Sequence, residues 1–201
     1  MPLKEIRDVT SHTRLGLWRM DEQASELTAL FPHLRALPMP YKHEVRQREF
    51  YAIRALLATM TDDTTLHIDY LPSGKPVVKG WHLSISHTRG YAALMLSGTE
   101  EVAVDIEKRG NMVANIADRF IRTDEVATTV EEMLALWSAK ETLYKLHSED
   151  NLHYFDMRLV SQLPTLMRME NMKRGVTVDI HHELTADYVL TYHPADSRSL
   201  S

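Results

Sequence analysis

Two short stretches hold the residues with the most chemistry in them, "VAVDIEK" at Val102 to Lys108 and "LWSAKETLYK" at Leu136 to Lys145. Read as a strand, the first alternates Val102, Val104 and Ile106 on one face with Ala103, Asp105 and Glu107 on the other, so both carboxylates point the same way. At a rise of ~3.3 Å per residue they stand about 6.6 Å apart. Two carboxylates on one face repel each other, and a hard divalent cation shared with a phosphate substrate relieves that repulsion. An edge strand turning its charged face to water would show the same pattern. In the second stretch Met133, Leu136, Leu143 and Leu146 form an apolar stripe, and Glu141 lies well round the helix from Leu136, where it can face a cleft. Glu141 followed by Lys145 one turn later also fits an ordinary surface pair. Trp137 and Tyr144 fit core positions as well as ligand contacts.

Composition bounds what these residues can serve. With 201 residues, 44% of them hydrophobic, the chain has ample material for a core. Having no cysteine, it has no disulfide, thiolate metal site or cysteine nucleophile. No basic-then-apolar leader and no apolar run of about 20 residues is present, so a cytoplasmic protein with no membrane partner is expected. A formal net charge of −5 argues against broad nucleic-acid binding, which needs a cationic face. The 11 histidines are scattered without metal-ligand spacing. His181 and His182 are adjacent in an expected strand, point to opposite faces and read as structural.

The elements that must position the acids follow from periodicity. Arg14 to Met20 reads as a strand, Asp21 as the N-cap of a helix to about Phe31, and Lys42 to Met60 as a second helix with Val45, Phe50, Ile53, Leu56 and Leu57 at helical spacing. Leu66 to Tyr70 is a short strand. His82 to Ser86, Tyr91 to Leu96 and Val102 to Glu107 then alternate with period two around "HTRG" and "SGTE", which predicts a three-stranded antiparallel meander ending on the acidic strand. Ile116 to Phe120 and Val130 to Leu146 read as helices, and "VTVDIHHEL" with "DYVLTYHP" as a closing strand pair. The class is α+β, and a division near Ser97 to Glu101 is a short turn rather than a tether.

Taken in order, "GKP" at Gly74 to Pro76, "SISHT" at Ser84 to Thr88, "VDIEK" at Val104 to Lys108 and "WSAKETLYK" at Trp137 to Lys145 resemble the signature of the 4′-phosphopantetheinyl transferases. The resemblance spans roughly a third of the chain, Gly74 to Lys145, with a looser echo around Arg48 and Arg54. In length the chain resembles the longer, surfactin-synthetase-activating type. That resemblance implies a pseudo-dimer of two similar α/β halves, each an antiparallel sheet packed with helices. Residues 1–98 would bind the nucleotide end and 99–201 would carry the metal-binding acids, the halves docked with the active site at their interface. It further implies a monomeric, magnesium-dependent holo-acyl-carrier-protein synthase that moves the phosphopantetheine arm of coenzyme A to a serine of an apo acyl or peptidyl carrier protein.

By the same resemblance Asp105, Glu107 and Glu141 would hold Mg²⁺, and Lys145 would reach the pyrophosphate. Lys75, Ser86 and His87 would bind the nucleotide, with Arg48 and Arg54 assisting at its 3′-phosphate. Glu125, in "RFIRTDEV", matches the glutamate suggested as the base that deprotonates the serine; a helix-start acid explains it equally well, and Glu141 or a metal-bound water could also serve as base. Two departures stand out: Ala103 where the family has glycine, and "LHSEDNLHYF" where a glycine-rich turn is usual. Alternatives are a non-catalytic coenzyme A or carrier-binding relative and a metal-dependent phosphodiester hydrolase. Alanine at Asp105 or Glu141 is expected to abolish transfer and spare the fold.

Overall fold

A computed structural model describes residues 3–194, and they are α+β with antiparallel sheets. The chain divides into two compact units, Met1–Glu101 and Val102–Ser201. The division falls at the end of the turn that the sequence marks. No helix among the described residues is long and apolar enough to cross a membrane.

The first unit contains β1 (Leu3–Asp8), β2 (Thr13–Arg19), α1 (Ala24–Leu30), α2 (Glu44–Thr61), the two-residue strands β3 (Asp69–Tyr70) and β4 (Pro76–Val77), β5 (His82–Thr88) and β6 (Tyr91–Ser97). Four strands form an antiparallel sheet in the order β1-β2-β6-β5, and β3 pairs with β4. One face of α2, with Ile53, Leu56, Leu57 and Met60, packs with Trp18, Leu83, Ala92, Leu94 and Leu96 of the sheet. That packing depends on Gly16 in β2, where a Cβ would lie 2.5 Å from the Met60 sulfur. Helix α1 starts later than Asp21, because Glu26 reaches back to accept the Gln23 amide at 2.7 Å while Asp21 is engaged by Arg19 at 2.6 Å.

The second unit contains β7 (Ala103–Lys108), a 3-10 helix at Asn111–Arg119, α3 (Val130–Leu146), β8 (Met157–Leu163), β9 (Leu166–Asn171), β10 (Val176–Leu184) and β11 (Tyr188–His193). Its sheet runs β7-β11-β10-β9-β8, antiparallel throughout. The expected meander is therefore corrected. Both edges of β6 are occupied, by β2 and β5, so the acidic strand cannot pair there and instead joins the second sheet beside β11. The helix expected at Ile116 to Phe120 is part of the 3-10 segment, and β1, β8 and β9 are strands that periodicity did not mark. His181 stacks on Tyr192 and His182 bonds the Leu163 carbonyl, both structural duties.

Helix α3, which lays Leu134, Leu136, Ala139 and Leu143 into the core with Met167, Met169, Ile180 and Val189, begins at a capping box. The Glu132 amide bonds the Thr129 hydroxyl, and the Glu132 carboxylate accepts both the Thr128 and Thr129 amides and the Thr128 hydroxyl. The Thr129 and Thr128 amides foremost hold that carboxyl down at about 2. Its contribution is therefore complete above the ordinary carboxylate range and is lost as pH falls from that range toward about 2. Thr129→Ala is expected to cost about 1 kcal/mol of stability in chemical denaturation.

Candidate active site

The acids occupy the face of β7 that meets α3. Cross-strand partners share a face, and Asp105 lies opposite Thr191, as Glu107 does Val189. Thr191 bonds Ser138 of α3 and Val189 sits in the core with α3, so Asp105 and Glu107 point at the helix rather than into water. Asp105 is only 4% exposed, which excludes the solvated edge strand.

Each carboxyl has its own donor. Asp105 Oδ1 accepts the Lys145 ammonium at 2.7 Å and Oδ2 accepts the Ser138 hydroxyl at 2.8 Å. Lys145 also reaches the Val104 carbonyl at 3.0 Å. The expected Glu141 to Lys145 surface pair thus gives way to an ion pair across two elements, Lys145 with Asp105. Glu107 Oε1 accepts the Trp137 indole N–H at 3.1 Å, and Glu141 Oε1 accepts the Tyr154 hydroxyl at 2.6 Å. Behind Asp105 runs a buried hydroxyl chain: Thr142 to Thr191 at 2.6 Å and Thr191 to Ser138 at 2.9 Å.

The three acids lie close enough to feel one another's charge. Burial, then the neighbouring Asp105 charge, pushes the Glu107 carboxyl up to about 7; Glu141 adds to the rise, and the Trp137 bond and Lys145 oppose it. Glu141 is raised by burial and by Asp105, against the bond from Tyr154. Three carboxyls thus share one ammonium, an arrangement with unbalanced negative charge in a partly buried place. Among the described residues no group of three or more His, Asp or Glu is placed to hold a metal ion. The donor set nonetheless suits a hard divalent cation: three carboxylates, no nitrogen or sulfur, and excess negative charge.

Glu125 has a different occupation from the proton acceptor suggested by resemblance. Its side chain is fully buried and pairs with Lys140, also fully buried, at 2.7 Å. Its oxygens further accept the Arg122 amide at 2.9 Å and the Leu159 amide at 2.7 Å. Lys140 donates as well to the carbonyls of Phe120 at 2.7 Å and Tyr154 at 3.3 Å. Burial lowers the Lys140 ammonium from its ordinary value while Glu125 pulls it back. A carboxylate so enclosed has no face open to a substrate hydroxyl; it anchors the fold.

The candidates in the first unit are more dispersed. Ser86 and His87 are consecutive in β5 and point to opposite faces, His87 toward Glu49 of α2 at 3.6 Å. Arg48 and Arg54 lie ~120° apart around α2 at about 100° per residue. Arg54 lies 3.4 Å over the Phe50 ring, its guanidinium lowered by burial, and the buried Arg48 Nε has no hydrogen-bond partner among the described residues. Lys75 pairs with Glu101 at 2.9 Å, and Glu101 also meets His82 at 3.2 Å.

Sequence reasoning missed Ser138, Lys140, Thr142, Tyr154 and Thr191. Ser138 and Thr142 stand one helical turn apart on α3, a spacing that could have signalled a polar seam; Tyr154 and Thr191 lie in other elements and carried no local signal. No protein-family model matches the chain, and no curated protein matches it.

Proposed function

We propose that this chain transfers the 4′-phosphopantetheine arm of coenzyme A to a serine hydroxyl of an apo acyl or peptidyl carrier protein, releasing adenosine 3′,5′-bisphosphate. The observation that carries the reading is the gathering of Asp105, Glu107, Glu141 and Lys145 on the facing sides of β7 and α3, with their charges coupled. The ordered motifs from Gly74 to Lys145 support it, as does an antiparallel sheet with a packed helix in each unit, which suits the pseudo-dimer fold.

In this reading Asp105, Glu107 and Glu141 would hold Mg²⁺, whose chemistry is to neutralise charge at the pyrophosphate. Lys145 turns its ammonium to the phosphates, leaving Asp105 as it does so. Glu141, made more basic by burial, accepts the proton of the attacking serine. The serine oxygen forms a bond to phosphorus as the phosphorus bond to the leaving nucleotide oxygen breaks, so no covalent enzyme intermediate is needed. The resemblance alone gives Lys75, Ser86 and His87, with Arg48 and Arg54, to the nucleotide end; Ser86 and His87 point opposite ways along β5 and the two arginines diverge around α2, so they share no single face.

The test is to incubate the protein with coenzyme A, Mg²⁺ and an apo carrier, and to weigh the carrier by mass spectrometry. A carrier heavier by one phosphopantetheine supports the reading. Coenzyme A cleaved without an acceptor protein indicates a hydrolase, and coenzyme A bound but unreacted indicates a non-catalytic binder. Because burial and Asp105 push the Glu107 carboxyl up to about 7, a proton competes with a cation at it below that pH. The Mg²⁺ concentration for half-maximal rate is therefore expected to fall as pH rises through 7, and a flat profile counts against Glu107 as a ligand.

A further inference from the structure

We propose that Tyr154 is a positioning residue for Glu141, its hydroxyl fixing the carboxylate in the orientation that accepts a divalent cation. The inference rests on the reading of Asp105, Glu107 and Glu141 as cation ligands, and it concerns a residue outside the motifs. Its basis is geometric. The hydroxyl donates to Glu141 Oε1 at 2.6 Å, and the ring lies 4.8 Å from Trp137, centroid to centroid, at an interplanar angle of 31°. Trp137 in turn donates to Glu107 at 3.1 Å, so one aromatic stack delivers a neutral donor to each of two acids. Phe120 closes the stack, edge-on to Trp137 at 5.1 Å and to Tyr154 at 6.4 Å.

The backbone beneath Tyr154 is anchored on several sides. Its carbonyl accepts the buried Lys140 ammonium, and the neighbouring Phe155 carbonyl accepts Arg122. Asp156 receives the His153 amide at 2.8 Å, and its carbonyl receives the Met172 amide at 2.9 Å. Upstream, the buried Asn171 holds Asp150 at 2.6 Å. These contacts place the hydroxyl before any ligand arrives. A carboxylate oxygen has two lone pairs, so Oε1 can keep the tyrosine bond and still ligate a cation. Outer donors of this kind orient ligands and sustain affinity, and their loss typically weakens metal binding ~10–100-fold.

The experiment measures Mn²⁺ binding by calorimetry, with coenzyme A present, for the wild type, Tyr154→Phe and Glu141→Gln, alongside coenzyme A affinity and thermal unfolding. Phenylalanine keeps the stack and removes only the hydroxyl. The expected result is Mn²⁺ binding about tenfold weaker in Tyr154→Phe, coenzyme A binding and melting temperature near wild type, and a Mg²⁺ requirement raised more than the maximal rate is lowered. Wild-type Mn²⁺ affinity in Tyr154→Phe, with Glu141→Gln impaired, overturns the role of Tyr154 and leaves the cation reading intact. Equal weakening toward Mn²⁺ and coenzyme A shows a general structural loss and also overturns it. A wild type that binds no Mn²⁺ removes the cation reading itself.

Discussion

Lys140→Met is expected to destabilise the second unit by about 3–5 kcal/mol, the usual cost of stranding one member of a buried ion pair. The ammonium is fully buried and makes three contacts, to Glu125, the Phe120 carbonyl and the Tyr154 carbonyl. Methionine fills similar volume but leaves Glu125 a buried carboxylate with only the Arg122 and Leu159 amides. Against a typical total of ~5–15 kcal/mol, this is a large share of the stability. The double change Lys140→Met with Glu125→Leu is expected to recover part of the loss, because no uncompensated charge remains. Denaturant unfolding of the set decides it. A loss below about 1 kcal/mol in the single variant, the level of an exposed pair, would show that the pair does not tie these segments together.

Asp105→Asn is expected to lower phosphopantetheine transfer about 100-fold, the scale seen when one preorganised polar group is removed from a reaction centre. The rate of carrier modification at saturating Mg²⁺ is the measurement, and near wild-type turnover would remove Asp105 from the site. The burial and hydrogen bonds of Asp105 argue against the expectation that losing this acid spares the fold. Asp105 accepts Lys145 and Ser138 while almost fully buried, and hydrogen bonds to charged groups contribute about 1.5–3 kcal/mol. Asparagine keeps the shape but turns an amide toward either the ammonium or the hydroxyl. A measurable drop in melting temperature is therefore expected with the loss of activity. For Glu141, half-buried with Tyr154 as its hydrogen-bond donor, the loss of stability is expected to be smaller.

The limits of α3 were legible because Met133, Leu136, Leu143 and Leu146 keep helical spacing, although buried Ser138, Lys140 and Thr142 interrupt the apolar face between them. Strand β5 was legible from its period-two alternation, and β6 as a short, continuous apolar run bounded by turns. In β9 the buried Met167 and Met169 alternate with Arg168 and Glu170, but methionine carries no strand preference and the run is short, while β8 exposes Val160 to Leu163 and shows no alternation. Asp105 and Glu107 lie on a strand and Glu141 on a helix, as their spacing predicts, yet their hydrogen-bond donors lie in segments distant along the chain.

By itself the sequence determined the local grammar: the helix and strand periods, the parallel direction of Asp105 and Glu107, and the absence of thiol chemistry. These depend on nearest-neighbour geometry, which a linear pattern encodes. Only the tertiary structure decided that β7 leaves the first sheet for β11, that Lys145 serves Asp105, that Glu125 is locked to Lys140, and that Tyr154 reaches Glu141. Those outcomes turn on which strand edges are already occupied and which charges must be compensated once water is excluded, conditions set by packing rather than by spacing along the chain.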